Sequence, residues 1–269
     1  MPRAREWIGD LLLRTPESLR SLRNIAFVGN LIHRVSHSIL PMDQKVWARV
    51  ESGPAAGIWL ELNPRTGQSY LRGEAEQAVQ ATLAERLRPG MTFYDLGANL
   101  GLFTLLAARL VTATGKVFSF EPDPENASNL RRNIDRNGFT NVTVVESGIW
   151  SSTGNRSFVA ANADSPDHGL GKFVEHAPPE SGTLMPCVSL DDFTQTAPPP
   201  DAIKCDIEGA EVEALRGATK LLQSPSRPWI VVETHSPALD QAARAMLASC
   251  GYRLTAADEL HVLAVPVKQ

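Results

Sequence analysis

The sequence predicts an α/β protein built on a mostly parallel β-sheet. One observation is a strand, a glycine turn, a helix and a second strand in immediate succession over residues 92–121. Another is the alternation of β-type runs with helical patterns that continues to the C-terminus. The chain has 269 residues, of which 43% are hydrophobic and 21% charged. That composition is typical of a globular protein with a sizeable core.

The pattern is clearest at the first of these strands. An apolar run over residues 92–94 ends at Asp95, and the glycine turn GANLG at residues 97–101 follows at once. After an almost wholly apolar helix, a second short run ends at Glu121. Such a unit is a parallel βαβ crossover. Its glycines let the backbone approach a ligand closely at the carboxyl end of the sheet, where open α/β folds bind cofactors.

The turn also indicates which ligand it suits. A dinucleotide fold uses G-x-G-x-x-G against a pyrophosphate, whereas here the spacing is Gly97-x-Asn99-x-Gly101. Acidic residues at both strand ends, Asp95 and Glu121, suit a ligand with a cationic group and a ribose. S-adenosylmethionine carries an amino group, a sulfonium and a ribose diol, and Glu121 can accept from both ribose hydroxyls. A plain βα turn with incidental acids is the alternative interpretation.

The helices and strands that follow Glu121 are predicted from the same kinds of pattern. A helix begins after the N-cap Asp123 and ends at Asn137-Gly138. Further helices are predicted over residues 211–222 and 237–249. The later strands are predicted over Val142–Val145, Ala202–Cys205, Trp229–Val232, Tyr252–Thr255 and Leu260–Val265.

Two regions flank or interrupt this alternation. Upstream, residues 58–62 and 69–71 are predicted to pair as a hairpin, followed by a helix that ends near Leu87. Residues 151–200 are an insertion with short strands at 158–160 and 185–190. The polar, Gly/Pro-rich stretch between those strands predicts a lid, in which His168 is a candidate for contact with substrate.

The N-terminal segment predicts a different kind of structure. Residues 1–57 carry apolar residues at helical spacing with an excess of basic side chains. They are interpreted as a helical extension, either a cap over the substrate side of the fold or the contact of a homodimer. A basic amphipathic arm that meets a membrane surface or an acidic partner is the alternative. The chain is thus divided into this extension and a main domain over residues 58–269.

Charge and composition exclude several classes of protein. A net charge of −4 and a pI near 5.9 give no electrostatic footprint for nucleic acid. The three cysteines are widely spaced and predict neither a disulfide framework nor a zinc site. No apolar run approaches the roughly 18 residues of a transmembrane segment. Charged residues interrupt the N-terminus where a signal peptide would have its apolar core, so the prediction is a cytoplasmic protein.

Four motifs then point to one family. DLGANLG at 95–101, FEPDPENASNLRRNI at 120–134, KCDIEGAEVEALRGA at 204–218 and WIVVETH at 229–235 occur in order. Together they resemble the motifs of the FkbM family of S-adenosylmethionine-dependent methyltransferases, over roughly residues 58–265. The resemblance implies a class I methyltransferase, Rossmann-like fold. Its seven-stranded, mostly parallel sheet has an antiparallel last strand inserted beside the fifth.

The predicted cofactor residues lie mainly at the ends of the first three core strands. The resemblance places Glu76 near the methionine end, although an acid in a first helical turn is also favoured by the helix dipole. Ser147 is a candidate hydrogen-bond partner for the adenine edge. The full set is Glu76, Asp95, Gly97, Ala98, Asn99, Gly101, Glu121, Pro122, Glu146, Ser147 and Asp206.

The predicted catalytic residues, Asp206, Glu208, Glu233 and His235, follow the fourth and fifth strands. An alcohol becomes a good nucleophile when a base removes its proton or a metal lowers its pKa. His235, oriented by Glu233 or Glu208, is therefore the predicted general base, and a site for Mg²⁺ on the same four residues is the alternative.

The turn after the fourth strand also bears on the acceptor. It reads CDIEGA at residues 205–210 rather than the Asn/Asp-Pro-Pro-aromatic turn common in N-methylation. O-methylation of a hydroxyl is therefore predicted, and the resemblance implies a sugar or secondary-metabolite acceptor. A nicotinamide-dependent oxidoreductase and a non-catalytic S-adenosylmethionine-binding protein remain the alternatives.

Overall fold

The computed structural model describes residues 13–14, 44–159, 171–174 and 182–267. The chain forms two compact units, residues 1–77 and 78–269. Most of the predicted N-terminal helical extension lies outside the described residues. The division of the chain at residue 57 stays a prediction.

The first unit contains a hairpin that differs from the predicted one. Strand β1 (Val46–Arg49) pairs antiparallel with β2 (Trp59–Leu62), and the short helix α1 spans Gln68–Arg72. Residues 69–71, predicted as the second strand, are therefore helical, and residues 46–49 form a strand inside the predicted helical extension. The pairing is stabilised because buried and more exposed residues alternate along β1, the period-two pattern that a strand with one buried face requires. Gly73 ends α1 in the left-handed conformation.

The second unit begins with helix α2 (Gln77–Arg86) and is built on a seven-stranded sheet. Its strands are β3 (Thr92–Leu96), β4 (Lys116–Phe120), β5 (Val142–Val145), β10 (Ala202–Cys205), β11 (Trp229–Glu233), β12 (Tyr252–Ala256) and β13 (His261–Pro266). Between them run helices α3 (Leu102–Val111), α4 (Pro124–Asn137), α6 (Glu211–Arg216), α7 (Thr219–Gln223) and α8 (Pro237–Ser249).

The strand order confirms the predicted topology. From one edge to the other it is β12-β13-β11-β10-β3-β4-β5. Neighbours from β11 to β5 are parallel, while β13 lies antiparallel between β11 and β12. The mostly parallel, seven-stranded sheet with an antiparallel last strand beside the fifth is therefore correct. Its topology also places the carboxyl ends of β3, β4, β10 and β11 on one rim.

The centre of the sheet is buried because its strands are continuous apolar runs. Every residue of β3 and of β10 is buried. On β3, the Tyr94 ring meets Phe118, Phe120 and Phe193 with centroids 5.4–5.6 Å apart. The Tyr94 hydroxyl donates to the Pro198 carbonyl at 2.7 Å, so its one polar atom is satisfied inside the core.

The insertion forms a sheet of its own. Strands β6 (Gly148–Ile149), β7 (Gly154–Val159), β8 (Lys172–Val174) and β9 (Thr183–Val188) are arranged in the order β6-β9-β7-β8, and helix α5 (Leu190–Phe193) follows. The predicted short strands overlap β7 and β9. The predicted lid falls mostly on residues 160–170 and 175–181, which, with His168, lie outside the described residues.

The helix predicted over 211–222 is divided into α6 and α7. A Cβ on Gly217, between them, would lie 2.2 Å from the Trp150 carbonyl oxygen, so the chain passes close to another backbone there. Asp191 then accepts hydrogen bonds from the amides of Lys220 (3.0 Å) and Leu221 (2.9 Å). A carboxylate from another element thus caps α7, a contact that local sequence patterns cannot reveal.

Gly97 is the glycine on which the site most depends. It has φ +79°, and a Cβ there would lie 1.9 Å from the Asp206 carbonyl oxygen. Gly138 provides a matched control, because its φ is +71° and nothing lies within 4 Å of its Cβ position. Gly138→Ala should lower the free energy of unfolding by about 1–2 kcal/mol, the cost of a left-handed non-glycine residue. Gly97→Ala should cost clearly more in urea denaturation; equal losses would show that the close approach is unimportant.

Candidate functional site

The glycine turn is tied to the end of β4 by backbone and side-chain contacts. The amides of Gly97 and Ala98 both donate to the Phe120 carbonyl at 3.0 Å. Asn99, a residue type that tolerates the left-handed region, has φ +49°. Its amide donates to Glu121 Oε2 at 2.7 Å. Phe120, which ends β4, and Glu121, which follows it, therefore fix the conformation of the turn that follows β3.

Glu121 is held in a buried position by the same contacts. Only 5% of the residue is exposed, and its Oε1 accepts from the Asp123 amide at 3.0 Å. Desolvation raises the pKa of Glu121 to about 7, although the two backbone hydrogen bonds act in the opposite direction. Its carboxyl group therefore titrates near neutral pH in the absence of a ligand.

A cleft opens beside this turn in the second unit. One wall carries polar groups from the glycine turn and from the ends of β4 and β10, and the other carries apolar side chains from the four-stranded sheet. The lining residues are Gly97, Asn99, Phe120, Glu121, Pro122, Asn126, Ser147, Gly148, Ile149, Phe158, Gly171, Phe173, Asp206, Ile207 and Glu208. The insertion thus contributes to the same cleft as the glycine turn.

Not all predicted cofactor residues line this cleft. Gly97, Asn99, Glu121, Pro122, Ser147 and Asp206 do. Glu76 belongs to the first unit.

Four predicted residues of the second unit are absent from the lining: Asp95, Ala98, Gly101 and Glu146. Glu146 instead pairs with Arg131 at 2.5 Å. Gly101 starts α3 in the left-handed conformation and donates its amide to the Ala98 carbonyl at 2.8 Å. The structure gives Ala98 and Gly101 a role in the shape of the turn, and direct cofactor contacts of all four residues stay a prediction.

Asp95 lies beneath the turn in a buried polar network. It is wholly buried, and its Oδ2 accepts from the Thr104 hydroxyl at 2.6 Å. That hydroxyl also lies 2.8 Å from the Ser119 hydroxyl. Lys204 Nζ lies 3.9 Å from Asp95 Oδ1. Asp95 can therefore influence a ligand through the turn above it, but not by lining the cleft.

Lys204 is a site residue that the sequence analysis did not identify. It is 3% exposed, and its ammonium group donates to the Gly97 carbonyl (3.3 Å) and to Asp206 Oδ2 (3.0 Å). It also lies 5.1 Å from the centre of the Phe103 ring. A charged residue inside an otherwise apolar buried strand was the available signal. Its partners come from three separate chain segments.

The four predicted catalytic residues lie together at the ends of β10 and β11. His235 Nε2 is 3.4 Å from Glu208 Oε2, 3.5 Å from Asp206 Oδ1 and 3.8 Å from Glu233 Oε1. A quarter of the His235 side chain is exposed. Asp206 and Glu208 also line the cleft, so this cluster adjoins the space beside Glu121.

Glu211 is a fifth member that the sequence analysis treated only as a helical residue. It is wholly buried, and its Oε1 lies 3.0 Å from His235 Nδ1. The same oxygen accepts from the amides of Gly209 (2.9 Å) and Ile207 (3.4 Å). The carboxylate thus connects the histidine to the turn that carries Asp206 and Glu208.

These contacts change the protonation expected for His235. Hydrogen bonds to Glu208 and Glu211 raise the pKa of the imidazole to about 11, outweighing partial burial, which lowers it. In this arrangement the ring is an imidazolium at neutral pH. These contacts do not favour a neutral imidazole with a pKa near 6.5 at this position. The general-base role of His235 stays a prediction.

A second histidine lies behind the cluster. His261 on β13 is paired in register with Glu233, and its Nε2 lies 3.3 Å from Glu233 Oε2. Its Nδ1 lies 2.8 Å from Asp258 Oδ1. His261 was not identified from the sequence because the predicted pairing of these two strands did not specify the register that places His261 opposite Glu233.

Comparison with known proteins decides the family. The model of the methyltransferase FkbM domain matches residues 95–254, more than half of the chain. The chain belongs to the FkbM methyltransferase family. Membership of this family implies S-adenosylmethionine as the methyl donor. The resemblance in the four sequence motifs is therefore confirmed.

Curated relatives match only part of their own length. The hexuronic acid methyltransferase AglP of Haloferax volcanii is 31% identical over 172 residues, which are 62% of this chain and 64% of the relative. A protein-L-isoaspartate O-methyltransferase of Aeropyrum pernix is 33% identical over 110 residues, 39% of this chain and 41% of the relative. The chain thus matches less than two thirds of the length of either.

The chain was also compared with solved structures. The methyltransferase FkbM from Methylobacillus flagellatus superposes with a TM-score of 0.46 and 19% identity, over 75% of this chain and 54% of that one.

Within the part of the chain that the structure describes, no helix has the length and apolar character needed to cross a membrane.

The buried position of Lys204 generates a prediction about stability. In Lys204→Met, Asp95 and Asp206 lose a cation inside the core, so the free energy of unfolding should fall by about 3–5 kcal/mol. Lys116→Met, at the exposed start of β4, is the control and should change it by no more than about 0.5 kcal/mol. Urea denaturation at neutral pH measures both, and a loss at Lys204 as small as the control's would contradict the pairing.

Proposed function

We propose that this methyltransferase moves the methyl group of S-adenosylmethionine to a hydroxyl oxygen of a sugar. The observation that carries the proposal is that a carboxylate–imidazole cluster adjoins the cleft beside Glu121. Asp206 and Glu208 line the cleft at the end of β10, and Glu121 lines it at the end of β4. A methyl donor beside Glu121, the donor half of the site, and an acceptor beside the carboxylate–imidazole cluster, the acceptor half, can therefore meet in this cleft.

The donor half fits S-adenosylmethionine chemically. Each Glu121 oxygen already accepts one backbone amide and retains a lone pair for a ribose hydroxyl. Ile149, Phe158 and Phe173 give an apolar wall for the purine. Because Gly97 lacks a side chain, the turn leaves its backbone close to the cleft.

The acceptor half favours a neutral acceptor. Carboxylates outnumber cations in the cluster even when its histidine is protonated, which suits a sulfonium and repels an anion at the reacting position. The groups are Asp206, Glu208, Glu211 and Glu233 against Lys204 and His235. The relative from Haloferax volcanii acts on hexuronic acid, which carries both hydroxyl and carboxylate oxygens. The charge of the site supports a hydroxyl as the methyl acceptor.

The reaction requires little covalent help from the protein. When bound, S-adenosylmethionine supplies an electrophilic methyl carbon on a sulfonium. The acceptor oxygen forms a bond to that carbon while the carbon–sulfur bond breaks, and its electron pair stays on sulfur. The hydroxyl proton leaves to a carboxylate of the cluster, Asp206 or Glu208, because His235 is already protonated. Lys204 holds Asp206 in place by a hydrogen bond. Positioning of donor and acceptor supplies much of the rate of methyl transfer.

A transfer assay tests the proposal. The full chain is incubated with methyl-labelled S-adenosylmethionine and matched glycosides of a hexuronic acid and of the corresponding neutral hexose. We expect label in a product that survives mild alkali, because a methyl ether is stable where a methyl ester is hydrolysed. Label released entirely by alkali would assign the carboxylate as acceptor and overturn the hydroxyl assignment, and no transfer to either sugar would overturn the substrate class.

The Glu121 pKa of about 7 gives a pH test of the donor half. Ribose hydroxyls donate to the carboxylate and not to a protonated acid, so binding favours the ionised form. As pH falls below about 7, affinity for S-adenosylmethionine should fall by up to tenfold per pH unit. Calorimetry between pH 5.5 and 8.5 measures this. Glu121→Gln should bind more weakly at pH 8.5 and lose this pH dependence; an unaltered profile would contradict the ribose assignment.

A further inference from the structure

The acceptor-side cluster has the geometry of a metal site. One ligand atom each from Asp206, Glu208 and His235 lie within 4.8 Å of one another. The distances from His235 Nε2 to Glu208 Oε2 (3.4 Å) and Asp206 Oδ1 (3.5 Å) are long for charge-assisted hydrogen bonds, which are about 2.7–2.9 Å. Ligands bound to one ion at about 2.0–2.1 Å lie about 3.0–3.4 Å apart. The two distances from His235 Nε2 are therefore close to the spacing of ligands around one ion, and the two carboxylate oxygens lie within 4.8 Å of each other.

Glu211 orients the imidazole as a metal ligand requires. Metal-binding histidines commonly donate their other ring N–H to a carboxylate, which fixes the tautomer. Here His235 Nδ1 lies 3.0 Å from the wholly buried Glu211 Oε1, so Nε2 is the nitrogen that faces Asp206 and Glu208. The same carboxylate oxygen accepts from the Gly209 amide, in the turn that carries those two acids. One buried group thus orients the imidazole and holds the backbone of the turn that carries the two acids.

A second, independent observation is the other oxygen of Glu211. Oε2 is buried and has no hydrogen-bond partner among the residues that the structure describes. The carboxylate is excluded from solvent, and its neighbour in the cluster is the His235 ring. A buried carboxylate with an unsatisfied oxygen is costly unless positive charge lies nearby. An ion on the far side of the imidazole would supply that charge in place of the proton that His235 carries on Nε2.

We propose that Asp206, Glu208 and His235 bind one divalent metal ion, with Glu211 as the outer carboxylate, and that the ion binds the acceptor hydroxyl. An imidazole with two carboxylates suits a first-row ion such as Mn²⁺ better than Mg²⁺, which prefers oxygen ligands alone. Three protein ligands leave positions open for acceptor oxygens. Bound there, the hydroxyl has a lowered pKa and loses its proton to water before it attacks the methyl carbon. The role of the ion rests on the proposed function; its binding does not.

A titration with Mn²⁺ alone tests binding without donor or acceptor. The full chain, stripped of metal by a chelating resin, is titrated with Mn²⁺ while free Mn²⁺ is measured by electron paramagnetic resonance. We expect one site per chain. Glu208→Gln and His235→Asn should abolish it, and Glu211→Gln should weaken it about 10–100-fold, as loss of an outer partner does. Glu213→Gln is the matched control, since this acid in the same helix pairs with Arg216 and should bind Mn²⁺ unchanged.

Each result decides one part of the proposal. Absence of a stoichiometric site, or equal binding by Glu208→Gln, His235→Asn and the control, would overturn the metal site. Retained binding with no transfer to any hydroxyl would leave the site and overturn the proposed function. Full transfer activity after stripping, with chelator present, would overturn the role of the ion in the reaction. A circular dichroism spectrum of each variant matching that of the unmodified chain excludes unfolding as the cause.

Discussion

The buried ammonium group of Lys204 is the interaction on which both halves of the site depend. It lies between Asp95, which ends the first core strand, and Asp206, which follows β10. It also donates to the carbonyl of Gly97 in the turn above. A carboxylate as deeply buried as Asp95 would otherwise be strongly destabilised by desolvation. The lysine permits an acid there and at the same time fixes the turn relative to β10.

From this connection the site divides into two halves with different electrostatics. On the donor half, Glu121 is a nearly buried carboxyl held by two backbone amides. On the acceptor half, carboxylates surround His235 on both ring nitrogens. The first half suits hydroxyl donors of a ribose, and the second suits a cation. The sequence had already separated cofactor residues from catalytic residues, and the structure adds the partners that surround each carboxylate.

Much of the fold and part of the site could be predicted from local patterns. The central strands β3, β4, β10 and β11 are mostly apolar runs, and α4 has its Asp123 cap and Gly138 stop where the pattern placed them. The hairpin predicted for the first unit was wrong because runs as short as β1, which has four residues, do not distinguish a strand from a helix. The division of α6 from α7 was missed because the Asp191 cap comes from a distant segment.

The sequence by itself determined the strands of the seven-stranded sheet, the family and the acids at the ends of those strands. These follow from patterns of a few residues that act locally, since an apolar run or a glycine turn has the same meaning wherever it lies. The tertiary structure decided the partners of those acids. Lys204, Glu211 and His261 each gain a place in the site only through contacts with residues distant in sequence. The protonation of His235 likewise depends on Glu211 and Glu208, because a pKa is set by the charges and hydrogen bonds that surround a group in space.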